Sequence, residues 1–185
     1  MRSRESELFC YYFAYGSCMC PVDLQRTLQE AVEPYIVGMA TLSGYRFGFY
    51  YYAQHRNCGV LDIVPDRDST VHGVLYRLPT RLIPHLDLRE HVHQGGYRHE
   101  SVNVHCQDRD YAEVKTYVVV DKLPTEYPPN DWYTTVVMRG AATCNLPTSY
   151  RHQLHTHIQQ LQQNWQSKDF AVAQTCLSRF FIPNC

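Results

Sequence analysis

Hydrophobic and polar residues follow each other along this chain in short segments whose spacing predicts both strands and helices. Residues with the spacing of a strand predict strands at 9–15, 35–52, 58–64, 71–78, 97–106 and 111–120. Residues with the spacing of a helix predict helices at 22–31, 80–93, 133–144 and 147–163. Many consecutive strands with few helices indicate an α+β fold, in which a small mixed sheet curls into a barrel-like shape and is flanked by helices.

Glycines and turn-forming residues within and between these segments add detail to this prediction. Gly38, Gly44 and Gly48 lie inside one predicted strand and indicate bends or bulges there. The sequence Asp108-Arg109-Asp110 predicts a hairpin turn, and residues 124–131 predict a loop.

The length of 185 residues predicts a single domain with a substantial core. We place this domain at residues 9–163 and expect a frayed N-terminus at residues 1–8. Residues 164–185 are expected to form a C-terminal tail that is helical and packs on the domain or on a partner.

One carboxylate lies on the apolar stripe of the predicted helix at 80–93, and this is Glu90. Its neighbours on the stripe are Leu82, Ile83, Leu86 and His93. Loss of water disfavours the charged form of a glutamate, and a negative charge on Asp87 acts in the same direction, so we expect a raised pKa. A raised pKa suits a general acid or base near neutral pH. The alternative is that Glu90 turns to solvent or pairs with Arg89 or Arg98.

A second feature lies near the N-terminus, where the apolar and aromatic run Phe9–Tyr15 predicts a buried strand. The run ends abruptly at Gly16-Ser17-Cys18, and Pro21 suits the first turn of a helix. A strand, a glycine turn and a helix N-terminus in this order point free backbone N–H groups outward, where they can bind an anion. An ordinary strand-to-helix connection is the alternative.

Five motifs occur in one order over residues 9–162. They read Y-F-A-Y-G-S at 12–17, G-V-L-Y-R-L at 73–78, L-D-x-x-E-x-V at 86–92 with Gly96-Tyr97 behind it, Y-T-T-V-V-M-R-G-A at 133–141, and L-P-x-x-Y at 146–150. In this combination the chain resembles the γ-glutamylcyclotransferase family, and the barrel-like fold of that family agrees with the predicted element order.

The resemblance implies a reaction in which the α-amine of a γ-glutamyl group attacks its own γ-carbonyl carbon. This releases 5-oxoproline and the amine or amino acid that was attached. Glu90 matches the catalytic acid/base of the family. The turn formed by Tyr15, Gly16, Ser17 and Cys18 matches the loop that holds the glutamyl portion. The substrate carries its own nucleophile, so the resemblance implies no metal and no cofactor.

Two further residues, Tyr117 and Tyr133, match positions that line the pocket in the family. Strand parity alone predicts that Tyr117 is exposed, because it puts Tyr117 on the face opposite Val114, Val118 and Val120. The chain departs from the family at Cys18, where the family loop ends in Ser-Asn. This departure and the additional tail leave open a non-catalytic or repurposed member of the same fold that binds a small molecule or a protein.

The resemblance implies a small-molecule γ-glutamyl substrate as the partner, and composition argues against other classes of partner. The net charge of −1 and the absence of a basic run exclude a general nucleic-acid or anionic-membrane binder. The apolar stretches are too short to span a bilayer, and the first residues lack the apolar core of a signal peptide. We therefore expect a cytoplasmic protein, and a homodimer stays open.

The eight cysteines and ten histidines raise the alternative of a redox or metal-handling protein. Apart from Cys18 and Cys20, the cysteines are scattered singly and form no C-x-x-C pair. The histidines cluster near residues 85–105, where His91 and His93 cannot share a helical face, and near 152–157, where His152 and His155 have helical spacing but no accompanying carboxylate. This spacing predicts reduced cytosolic thiols and no metal site.

Overall fold

A computed structural model describes residues 7–180 of the protein, with side chains described as far as Gln166. Five strands are present: β1 (Phe9–Ala14), β2 (Ile36–Ala53), β3 (Cys58–Pro79), β4 (Tyr97–Cys106) and β5 (Arg109–Val119). Four helices accompany them: α1 (Pro21–Leu28), α2 (Ile83–Arg89), α3 (Asp131–Thr143) and α4 (Thr148–Phe180).

The strands form a closed barrel in the order β1-β3-β2-β4-β5. Neighbouring strands are antiparallel except where β1 meets β5 in parallel, with Tyr12 opposite Lys115, and this pair closes the barrel. The prediction of an α+β fold with a mixed, barrel-like sheet and flanking helices is confirmed. Phe13, Phe49, Leu75 and Tyr76 are fully buried in the core. Each such side chain contributes about 1.5–3 kcal/mol of burial free energy.

The predicted strands at 58–64 and 71–78 are joined into the single strand β3. Pairing with β2 stops at Pro65 and resumes at Thr70, with Gly44 opposite the interruption. The intervening residues 66–69 are polar and partly or fully exposed, so the hydrophobic pattern stops although the backbone stays extended. The predicted irregularities at Gly38, Gly44 and Gly48 are confirmed, because the β2–β3 register shifts at each of these positions.

The predicted helix at 80–93 is too long. The α-helix α2 ends at Arg89, and Glu90 is its C-cap. His91 then adopts a left-handed φ of 52° and reverses the chain into a short 3₁₀ turn at Val92–Gln94. A residue with this φ cannot continue a right-handed helix. Glu90 therefore projects from the end of a helix and not from the middle of an apolar stripe.

Smaller differences concern the turn and the ends of the chain. The tight turn between β4 and β5 is formed by Gln107 and Asp108, both with positive φ, one residue earlier than predicted. Helix α4 runs without a break through residue 180, so the expected short tail helix continues the preceding one. The side-chain packing of that tail and the expected fraying of residues 1–6 lie outside the described residues. No helix in the described part of the chain combines the length and the apolar character that a membrane crossing requires.

Candidate active site

The end of β1 leads directly into a buried turn. After Ala14 and Tyr15 the chain passes Gly16 and forms a 3₁₀ turn over Ser17–Met19, and α1 begins at Pro21. The Cys18 carbonyl accepts a hydrogen bond from the Tyr76 hydroxyl at 3.2 Å, which fixes the turn to β3. The first N–H groups of such a turn have no intrahelical acceptor, and they remain available to a ligand.

Helix α3 holds this turn from the other side by close backbone contact. A Cβ atom on Gly140 would lie 2.5 Å from the backbone nitrogen of Cys20, so only glycine permits this approach. The side chain of Asn130 caps α3 by accepting the Tyr133 N–H at 2.8 Å. Its amide nitrogen also donates to the Arg56 carbonyl at 2.9 Å. The cap thus places Tyr133 and Arg56 beside the turn.

Glu90 faces the turn from the end of α2. Its Oε1 lies 3.7 Å from the Cys18 sulfur and 3.6 Å from the Arg89 Nε. The side chain keeps 18% of its surface exposed. Burial raises the pKa of Glu90 above its usual value, although the positive charges of Arg89 and Arg56 act in the opposite direction.

One expectation about the surroundings of Glu90 was wrong. The carboxylate of Asp87 is not among the causes of the raised pKa, because it turns away toward Tyr117 and His99. The alternative of an ion pair with Arg89 is present at 3.6 Å, but Arg89 has further partners. Its guanidinium also contacts Asp23 and donates to the Ser17 hydroxyl at 2.8 Å, and so fixes the turn to α2.

We expect replacement of Glu90 by glutamine to leave the protein at least as stable as the wild type at pH 7. Because the folded pKa is raised, the charged carboxylate costs stability once the pH rises above the ordinary value of 4.5, and increasingly so toward the folded pKa. Urea unfolding from pH 4 to 8 measures this, with Glu100→Gln on β4 as the control. The stability advantage of Glu90→Gln should vanish at the acid end. A clear loss of stability at pH 7 would instead make Glu90 a structural ion-pair partner of Arg89.

All seven residues that sequence analysis singled out lie around one pocket of about 330 Å³. Its lining consists of Tyr12, Tyr15, Gly16, Ser17, Cys18, Leu61, Glu90, Tyr97, Tyr117 and Tyr133. Tyr117 is 3% exposed, so the parity argument for an exposed side chain was wrong. Asp87 of α2 accepts a hydrogen bond from the Tyr117 hydroxyl, which shows that α2 covers this face of β5.

A second compartment of about 320 Å³ adjoins the pocket and shares Ser17, Glu90, Tyr97 and Tyr133 with it. Four basic side chains line this outer compartment: His55, Arg56, Arg89 and His91. Arg56 is the notable one, because none of the described side chains pairs a carboxylate with it. Its guanidinium lies over the rings of Trp132 and Tyr133, at 5.3 and 5.6 Å from their centroids.

Sequence reasoning missed Tyr12, Leu61, Tyr97 and Arg56. Tyr97 stands in the Gly96-Tyr97 motif and could have been found from it. Arg56 carries no sequence signal, since only the turn between β2 and β3 brings it to the site.

Metal ligation has no visible site in the described residues, where no three His, Cys, Asp or Glu side chains are grouped so as to hold an ion. The six cysteines whose side chains are described are free thiols, and they are Cys10, Cys18, Cys20, Cys58, Cys106 and Cys144. Burial raises the pKa of the Cys18 thiol to about 11. A thiol with this pKa is a poor nucleophile at neutral pH.

Comparison with known proteins adds independent information. The AIG2-like family model matches residues 70–154. The Bacillus subtilis protein YkqA, provisionally named a gamma-glutamylcyclotransferase, is 34% identical over 154 residues, which cover 82% of this chain and 53% of YkqA. The crystal structure of YkqA matches with a TM-score of 0.75 and 32% identity, covering 84% of this chain and 56% of that one.

In sequence and in fold the chain therefore resembles the γ-glutamylcyclotransferases. The gamma-glutamylcyclotransferase of Bos taurus is also similar, with 25% identity over 160 residues that cover 84% of this chain and 82% of the bovine protein. This γ-glutamylcyclotransferase-like chain spans about half the length of YkqA.

Proposed function

We propose that the protein is a γ-glutamylcyclotransferase that releases 5-oxoproline from a γ-glutamyl amino acid or γ-glutamyl amine. One observation carries this proposal: a carboxylate with a raised pKa, Glu90, faces the backbone turn Gly16–Cys18 across a small pocket. A base with such a pKa suits a reaction in which an ammonium group must lose its proton before it can attack. The Cys18 thiol is the one cysteine that lines this pocket, and its high pKa argues against covalent catalysis.

The reaction moves two protons from the α-nitrogen to the leaving nitrogen. Glu90 takes the first proton from the substrate α-ammonium, and the free amine attacks the γ-carbonyl carbon, which forms the new C–N bond of a five-membered ring. Glu90 gives this proton to the leaving nitrogen as the original C–N bond breaks, and the carboxylate then takes the second proton from the new ring nitrogen and passes it to the released amine. Both reacting groups belong to one molecule, so ring closure avoids the entropy cost of bringing two reactants together.

The glutamyl portion is held by the turn after β1. The N–H groups of Ser17 and Cys18 suit a carboxylate or a carbonyl oxygen. The Tyr133 oxygen accepts the Leu61 N–H at 3.1 Å, which leaves the phenolic proton free to donate in the same region. Tyr133 and the turn thus supply hydrogen-bond donors on the side of the pocket where Gly16 lies, and these donors polarise the carbonyl under attack.

The outer compartment is the place for the leaving group, because it adjoins Glu90 on the other side. Arg56 offers it a guanidinium that no described carboxylate pairs with, and a guanidinium binds a carboxylate better than it binds a neutral alkyl group. We therefore infer that amino acids are preferred to simple amines as leaving groups. We place the reaction in the cytoplasm, since free buried thiols are typical of a reducing compartment.

A second candidate function is ligand binding without turnover. The specific observation in its favour is the Cys18 thiol against Glu90, at the position where the family has an asparagine. If that asparagine is needed to orient the substrate, this chain would hold a γ-glutamyl compound and not convert it.

The deciding experiment incubates the purified protein with γ-glutamyl compounds and measures 5-oxoproline. γ-Glutamyl-alanine and γ-glutamyl-ethylamine form a matched pair, because they differ in the leaving-group carboxylate. Release of 5-oxoproline, with preference for γ-glutamyl-alanine, is the expected result. Binding of these compounds with no product from any of them would favour the second candidate.

The Cys18→Ser and Cys18→Asn proteins are both expected to keep their activity within about ten-fold of the wild type. A hydroxyl or an amide can still donate a hydrogen bond to Glu90, and no step uses a thiolate. Initial rates of 5-oxoproline release check this, with circular dichroism as the test of folding. A folded Cys18→Ser protein with normal ligand affinity and no activity would show that the thiol takes part in the chemistry.

A further inference from the structure

The direction of the hydrogen bonds made by the pocket phenols is fixed by their partners. The Tyr15 hydroxyl lies 2.6 Å from the Tyr117 carbonyl oxygen, and the Tyr97 hydroxyl lies 2.8 Å from the Leu61 carbonyl oxygen. A carbonyl oxygen can only accept, so both phenols must donate their protons. What each phenol has left for a ligand is an oxygen lone pair.

The Tyr117 hydroxyl also donates its proton, because its partner is Asp87, whose Oδ1 lies 2.6 Å from the Tyr117 oxygen. Burial acts to raise the pKa of Asp87, but hydrogen bonds from Tyr117 and His99 outweigh it and the pKa is lowered. Asp87 is thus ionised at neutral pH and can only accept. The Tyr117 proton is committed to Asp87, and its lone pairs are free.

Two basic side chains support Asp87, one directly and the other through the first. The Nε2 atom of His99 lies 2.6 Å from the same Oδ1 atom, and the Lys115 amine lies 3.0 Å from the His99 Nδ1 atom. The lysine donates to Nδ1, so Nε2 carries the proton that His99 gives to Asp87. This series of hydrogen bonds from Lys115 through His99 keeps the Asp87 carboxylate ionised and orients it toward Tyr117.

The three phenols and the Glu90 carboxylate line the same inner pocket. In keeping with this, the charge on Glu90 is among the smaller causes, after burial, that raise the pKa of Tyr15, Tyr97 and Tyr117. A carboxylate and several lone pairs together form a site that accepts hydrogen bonds. An ammonium group has three donors and no acceptor, and it matches such a site.

We propose that the inner pocket is an ammonium-binding site formed by Glu90 and the lone pairs of Tyr15, Tyr97 and Tyr117, and that Asp87 is the positioning residue that keeps Tyr117 in its accepting state. This assignment rests on the proposed function, in which the ligand is the α-ammonium of the γ-glutamyl group. Without Asp87, the Tyr117 proton would be free to turn into the pocket and oppose the ammonium group.

The test uses two ligands that differ only in the α-ammonium group, γ-glutamyl-alanine and glutaryl-alanine. Calorimetry in the Glu90→Gln protein measures both affinities without turnover, because the amide oxygen of glutamine still accepts a hydrogen bond from an ammonium group but cannot take its proton. We expect γ-glutamyl-alanine to bind more tightly, and Asp87→Ala to weaken its binding about ten-fold while glutaryl-alanine is unaffected. Asp87→Asn, which keeps an oxygen that accepts the Tyr117 proton, should retain most of the affinity.

A double-variant cycle separates positioning from general structural support. Tyr117→Phe should mimic Asp87→Ala, and the two together should cost no more than Tyr117→Phe alone. Equal weakening of both ligands, additive effects, or no preference for the ammonium ligand would overturn the inference. If the wild type releases no 5-oxoproline, the proposed function fails, but the ligand pair still decides whether the pocket selects an ammonium group.

Discussion

Replacing Glu90 with glutamine is expected to lower the release of 5-oxoproline by about 10²–10⁴-fold, while ligand binding largely survives. Glutamine has the size of glutamate, but it cannot accept a proton from the α-ammonium group. The amine then stays protonated and has no lone pair for attack on the γ-carbonyl carbon. Initial rates with γ-glutamyl-alanine and calorimetric affinities in the same buffer separate the chemical step from binding.

The matched control is Glu100→Gln, which removes a carboxylate of β4 that does not line the pocket. It should show wild-type rates. Near-normal turnover in a properly folded Glu90→Gln protein would remove Glu90 from the mechanism. The base would then have to be sought among the other polar groups of the pocket.

The second large effect is expected at Gly16, where valine should abolish binding of γ-glutamyl ligands and with it turnover. A Cβ atom on Gly16 would lie 3.3 Å from the Tyr133 hydroxyl oxygen and 3.7 Å from the Leu61 Cβ atom. The additional methyl groups of valine have no room on that side, so they push Tyr133 aside or enter the pocket. Either outcome blocks the approach of a ligand to the backbone of the turn.

The Gly16→Ala protein provides a graded control, since its single methyl group needs a shift of only a few tenths of an ångström. It should bind more weakly than the wild type and more tightly than Gly16→Val. Calorimetry gives the affinities, and thermal unfolding shows whether each variant is folded. Normal ligand affinity in a folded Gly16→Val protein would mean that the turn does not hold the glutamyl portion.

The order of the elements could be predicted because local patterns determine it. The aromatic run before Gly16 forms β1, and the glycines of β2 mark its register shifts. The join between the two halves of β3 could not be predicted. Residues 66–69 show no hydrophobic alternation, although their backbone stays extended where the pairing with β2 is interrupted.

The candidate site could also be predicted only in part from the sequence. Glu90 was found from a helical stripe that does not exist in that form, because α2 ends at Arg89 and Glu90 caps it. The raised pKa and its main cause, loss of water, were expected correctly, but the charge of Asp87 is not among the causes. Tyr117 looked exposed because parity within one strand carries no information about a helix that packs over it.

Long-range contacts explain what sequence patterns could not reach. Arg56 comes to the pocket through a turn that Asn130 holds from 74 residues away. The acceptor role of Tyr117 depends on Asp87, 30 residues earlier in the chain. Neither relation leaves a periodic signal, since each arises only when the barrel closes.

The central claim, intramolecular attack by the substrate amine, is tested most directly by the fate of water oxygen. The protein is incubated with γ-glutamyl-alanine in ¹⁸O-labelled water, and the products are analysed by mass spectrometry. Cyclisation predicts equal amounts of 5-oxoproline and alanine, with no label in the 5-oxoproline, because no water enters the reaction. Glutamate carrying one ¹⁸O atom, released with alanine in place of 5-oxoproline, would show hydrolysis and contradict the proposed mechanism.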